Sequence, residues 1–158
     1  MTTAVRSRAV PHRDGTVMDE RIQVAPRDLG AQLPRVEAER VGVLRRLAAA
    51  RLRYIGLESL IDPTVLVVSE LMTNALEHSG TREIRLTMVL GDGVLHILVI
   101  DGMPGAATPV EQVGETAESG RGLLMVQAVA AEHGGTWGTG DGGAQTWCRL
   151  AVPAEESC

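Results

Sequence analysis

Glu70 and Asn74 stand four residues apart in the segment VVSELMTNALEHSG, with Glu77 and His78 close behind. If the segment is helical, that spacing puts the carboxylate and the carboxamide on one face. The pair suits a hard divalent cation: the amide oxygen can ligate Mg²⁺, and the carboxylate can hold a bound water or take a proton. Read alone, it is more simply the polar face of an amphipathic helix. Asp101 closes the apolar run VLHILVI and is followed by Gly102-Met103-Pro104-Gly105. A carboxylate leaving a strand sits at the rim of the core, where it can accept a hydrogen bond from a ligand N–H in an otherwise apolar pocket. A plain turn aspartate is the alternative. Ser119-Gly120-Arg121-Gly122-Leu123 runs into a third candidate helix. Glycines there let backbone N–H groups approach phosphate oxygens, the helix dipole helps, and Arg121 adds charge; a flexible helix entry is the plainer alternative.

Composition narrows the chemistry. All 15 basic residues among the 158 are arginine, and the chain has no lysine and no phenylalanine. A Walker-type phosphate loop, a Schiff-base lysine and a protein-kinase strand lysine are therefore excluded. The net charge is −5, unevenly spread: residues 1–53 hold 11 arginines and 6 acids, and residues 54–158 hold 4 arginines and 14 acids. The acidic main body argues against nucleic acid as the partner. The basic front end fits either a solvated tail and helix face or contact with an acidic partner. The two cysteines, Cys148 and Cys158, form neither a metal-type cluster nor a CxxC pair. Reduced thiols, no secretory h-region and no apolar run of membrane-spanning length predict a cytoplasmic protein without membrane association.

Those chemical groups need elements to hold them. Residues 1–33 mix Arg, Pro, Gly and Asp without a steady period and read as a poorly ordered extension ending in one strand, Arg21–Val24. Residues 34–153 read as one domain and 154–158 as a tail. Pro34 precedes a helical pattern from Arg35 to Tyr54, with Val41, Leu44, Leu47 and Ala48 on one stripe. Asp62 as N-cap and Pro63 as first helical residue predict a second helix ending at Gly80. Glu83–Leu90 and Val94–Asp101 alternate as strands around Gly91-Asp92-Gly93. Residues 102–120 lack any period and read as a mobile lid. A helix from about Arg121 to Glu132 and a hairpin of Thr136–Gly138 with Thr146–Val152 complete an α+β two-layer sandwich. Its mainly antiparallel, mixed sheet carries helices on one face. His96, Trp137 and Trp147 read as residues that pack the sheet and not as ligands.

Taken in order, Glu-Leu-x-x-Asn-Ala-x-x-His, Asp101 at a strand exit, Gly-Arg-Gly-Leu and TWCRL resemble the GHKL ATPase superfamily, which includes gyrase, heat-shock chaperone ATPases and sensor histidine kinases. Within it, residues 35–153 look most like small single-domain actinobacterial proteins related to anti-sigma-factor serine/threonine kinases. The resemblance implies a Bergerat-type fold binding ATP and Mg²⁺ over one sheet face without a Walker loop. It implies that Asn74 ligates Mg²⁺, that Glu70 is the catalytic base, and that Asp101 accepts from the adenine amino group. His78, Gly105, Gly120, Arg121, Gly122 and Leu123 complete the nucleotide site. The implied partners are a sigma factor, a small anti-anti-sigma phosphoacceptor protein, or both, with a homodimer as a further option. The chain departs from the family pattern at Met103, at Glu77, and at Ala144 and Gln145, where close relatives carry a Gly-Lys-Thr type sequence. These departures favour an alternative: a catalytically weak or inactive module that regulates by protein binding only. A full sensor kinase is disfavoured, since these residues leave no room for a dimerising helical hairpin with a phosphoacceptor histidine.

Overall fold

The alternating segments form the expected antiparallel hairpin, β2 (Glu83–Gly91) and β3 (Val94–Ile100). Asp92 (φ 54°) and Gly93 (φ 75°) make its two-residue turn, with both backbones in the left-handed region that matches strand twist. The computed structural model describes residues 14–24, 34–78, 82–101, 117–140 and 144–153, and of His78 and residues 117–121 the backbone.

Among the described residues three helices and three further strands accompany this hairpin. β1 (Gly15–Gln23) starts six residues earlier than the Arg21–Val24 strand predicted and pairs along β2. A register shift between Thr16 and Met18 turns both Val17 and Met18 inward, which hid this strand's period from a sequence scan. α1 (Arg35–Tyr54) ends at Ile55 and Gly56, whose φ of 84° only glycine adopts without strain. A single 3₁₀ turn, Glu58–Leu60, feeds directly into α2 (Ile61–His78). Asp62 and Pro63 therefore lie in the first turn and not at the cap, where the missing proline N–H costs nothing because first-turn amides have no intrahelical partner. α3 (Ala117–Glu132) is followed by β4 (Thr136–Gly140) and β5 (Gln145–Ala151).

The strands run β1-β2-β3-β5-β4, and every pairing among the described residues is antiparallel, so the sheet is not mixed. One sheet face presents Ile84, Leu86, Met88, Leu90, Leu95, Ile97, Val99, Cys148 and Leu150, all buried beneath the helices. α2 lies over β3 between α1 and α3, and α3 also reaches β4 and β5. The core stripe of α1 is Val41, Leu44, Ala48 and Leu52; Leu47, assigned to that stripe from the sequence, is only partly buried. The opposite sheet face carries His96, Trp147 and Arg149, and the Arg149 guanidinium stacks 4.8 Å from the Trp147 ring centroid. That ring lies over Gly138 across the β4–β5 pair, where any larger residue would meet it. Gly135 admits no side chain, because a Cβ there would run into the backbone carbonyl of Arg149.

Candidate functional site

α2 carries the first part of the site because its sequence is apolar on most sides: Val67, Val68, Leu71, Met72, Ala75 and Leu76 are all buried. A helix held this firmly fixes the polar groups riding on it. Asn74 is buried, and its Oδ1 has no hydrogen-bond partner among the described residues. A buried amide oxygen left unpaired costs about 1–3 kcal/mol, so such an atom calls for a ligand. Glu37 Oε1 and Thr64 Oγ1 share this condition, each in the first turn of its helix; nothing further accounts for them.

Glu70 lies one turn before Asn74 and is half-buried. Burial, and then the charge of Glu77 two turns on, push its carboxyl above the usual glutamate value. The same carboxylate touches α3: a Cβ at Gly122 would strike Glu70 Oε1, and its three nearest atoms would all belong to Glu70. Gly122 is thus the notch that admits the Glu70 carboxylate between α2 and α3. The two motifs, 52 positions apart in the chain, meet at this point.

α3 begins at Ala117, four residues before the predicted start, since Ala117 and Glu118 are good helix formers. Gly120 and Gly122 therefore lie within the helix and not in a loop before it. The N–H groups with no intrahelical partner belong to its first turn, while that of Gly122 sits in the helical ladder. Leu123 is buried in the core between α2 and α3, a packing position. The side chains of His78 and Arg121 lie outside the described residues, as do Met103, Gly105 and residues 102–116 of the lid predicted over 102–120; its last four residues, 117–120, are instead the first turn of α3.

Asp101 is buried just past the end of β3, and its N–H donates to the carbonyl of Ala144 at 2.9 Å. That bond places the start of β5 beside Asp101. Ala144 is itself buried, so its side chain serves packing. The sequence reading missed Thr146. It lies opposite Val99, is buried, and faces the helices on the same side of the sheet as Asp101. It is the one hydroxyl in the inward row Thr146, Cys148, Leu150, and the period-two alternation of β5 would have revealed it. Cys148, next in that row, has its thiol pushed up to about 12 by burial, which rules it out as a nucleophile at neutral pH.

The candidate groups thus lie on the helix-covered side of the sheet: an amide oxygen with no hydrogen-bond partner among the described residues, a carboxylate with a raised pKa on the same helix, and a buried carboxylate at a strand exit. Residues 35–150 match the family of the Histidine kinase-like ATPase domain, and the chain belongs to that family. No curated protein matches the chain. The family is one of ATP-binding domains with regulatory roles, typically using Mg²⁺. The residues present fit that group. Asn74 Oδ1 is an oxygen ligand with no hydrogen-bond partner among the described residues, and Mg²⁺ commonly takes one or two protein oxygens beside phosphates and waters. Among the described residues no helix is long and apolar enough to cross a membrane.

Proposed function

We propose that the protein binds Mg-ATP and phosphorylates a serine or threonine on a small protein partner, acting as an anti-sigma factor in a partner-switching pathway. ATP supplies the phosphoryl group; the chain supplies position and proton chemistry. Asn74 Oδ1 holds the cation. Asp101 accepts a hydrogen bond from the adenine amino group, with Thr146 beside it. Glu70 takes the proton of the attacking hydroxyl, a role its raised pKa assists. The first-turn amides of α3 face phosphate. The observation that carries this reading is the unpaired, buried Asn74 Oδ1 on the helix whose Glu70 carboxylate is seated against Gly122.

A second reading rests on Ala144. Its side chain is buried and its carbonyl is committed to Asp101, so this corner offers phosphate no charge. On that reading the module binds nucleotide weakly or not at all and regulates by contact alone. Calorimetric titration with Mg-ATP and Mg-GTP, followed by labelled phosphate transfer to an antagonist protein, separates the two. Binding with transfer supports the kinase, and binding without transfer supports the contact regulator. ATP should be preferred over GTP, because guanine sets a carbonyl against Asp101, and Asp101→Asn should weaken ATP by about 1–3 kcal/mol. No response to Mg-ATP would refute the kinase reading and leave regulation by contact alone.

A further inference from the structure

α1 buries one side against α2 and leaves a second apolar stripe uncovered. Val36, Val43 and Tyr54 are 59%, 53% and 82% exposed. With partly buried Leu47 they fall within about 40° of one another around the helix and run about 27 Å along it, at 3.6 residues and 5.4 Å per turn. Val43 and Leu47 of the stripe, with Arg40, form one wall of a groove of about 380 Å³ whose other wall is β1, where Glu20 and Arg21 offset each other in charge beside Ile22 and Gln23.

Arginine borders the stripe on both sides. On the β1 side Arg40 donates to the carbonyl of Gln23 and Arg51 donates to that of Val17 at 3.0 Å. These two side chains occupy the outer edge of β1, so strand addition there is blocked and the groove is left for side chains. On the far side stand Arg46 and Arg53, with Arg35 in an exposed pair with Glu39. α1 carries six arginines against two glutamates, one of them buried. The rest of the chain carries nine arginines against eighteen acids.

We infer that this stripe and its arginine borders are a docking surface for an acidic amphipathic helix of a partner protein, one whose apolar ridge is flanked by carboxylates. The charge of α1 is opposite to that of the remainder of the chain, so the face selects an acidic ligand that the rest of the protein repels. A narrow apolar stripe recessed beside a strand fits a helix ridge. An anionic bilayer suits it poorly, for a membrane-lying helix needs a broad convex apolar face and the acidic body would be repelled. The surface is distinct from the nucleotide site and its occupation does not depend on how that site is read.

The test uses the full chain without nucleotide and a labelled helix-forming peptide of about 20 residues, with leucines at helical spacing flanked by glutamates. Its controls are the same peptide with lysine for glutamate, and vesicles of phosphatidylserine and phosphatidylcholine. Anisotropy should show the acidic peptide bound at least about tenfold more tightly than the basic one, weakening as salt rises from about 0.05 to about 0.3 M. Val43→Asp, at an exposed position, should cut that affinity at least about tenfold, and Arg46→Glu with Arg53→Glu should reverse the preference between peptides. Equal binding of both peptides, vesicle binding in place of peptide binding, self-association broken by Val43→Asp, or no binding at all would each overturn the proposal. Should Val43→Asp lose its melting transition, the charge-reversal variant decides.

Discussion

Gly122→Ala isolates the contact between the two motifs. Gly122 lies in the sixth position of α3, inside the helix, where alanine is favoured over glycine by about 1 kcal/mol. The added methyl would meet Glu70 first, whose Oε1, Cδ and Cβ are its three nearest atoms. The carboxylate is the far end of a flexible side chain, so it swings aside at an off-rotamer cost of about 0.5–1.5 kcal/mol. The two effects nearly cancel, and thermal or urea unfolding should place Gly122→Ala within about 0.5 kcal/mol of the parent. In a Glu70→Ala background the obstruction is gone, and the same substitution should stabilise by close to the full 1 kcal/mol or so of helix propensity. Function should move the other way. With its carboxylate displaced, Glu70 is out of place as a base, and transfer should fall by about 10²-fold or more while nucleotide binding persists. An equal stability change in both backgrounds would show that Gly122 and Glu70 do not touch as described. A Gly122→Ala variant with full transfer would show that the seat of Glu70 is irrelevant to catalysis.

Asn74→Ala should abolish the Mg²⁺-dependent part of nucleotide binding yet not lower the melting temperature of the unliganded protein, since relief of a buried Oδ1 with no hydrogen-bond partner among the described residues offsets the packing lost; calorimetry with and without Mg²⁺ reads both. Glu70 has its folded-state pKa raised above 4.5, so the folded protein holds that proton more tightly than the unfolded chain. Its stabilising contribution is present below the unfolded value and is lost as pH rises through the raised one. Melts of Glu70→Gln and the parent across this window should diverge in the variant's favour with rising pH, and the acid limb of any transfer rate should lie above 4.5. Gly135→Ala should destabilise by about 1–3 kcal/mol or more, because the clash is with the fixed backbone of Arg149 and no side chain can yield; denaturant unfolding measures it.

Much of this architecture is written locally in the chain. The Val94–Ile100 alternation, the Asp92-Gly93 turn and the apolar face of Arg35–Tyr54 each have a short-range period or a residue-specific backbone preference, and each forms where that signal lies. Glu70 and Asn74 share a helix face for the same reason: a spacing of four needs nothing beyond the helix itself. Other features exist only through contacts distant in sequence. The bulge at Thr16–Met18 breaks the period of β1, and only pairing with β2 makes it a strand. The start of α3 was obscured because Gly120 and Gly122 look like a loop, whereas the packing of α3 against α2 carries the helix through them. That Gly122 is a notch for Glu70, that Asn74 Oδ1 is left without a partner and that Thr146 shares a sheet face with Asp101 depend on how helices and strands stack. The placement of Leu47 is of the same kind. Its helical phase put it with the core, and the position of β1 beside α1 turned it into the wall of an open groove. Local spacing determines which groups share an element, but only packing decides which of them are desolvated, paired or left waiting for a ligand.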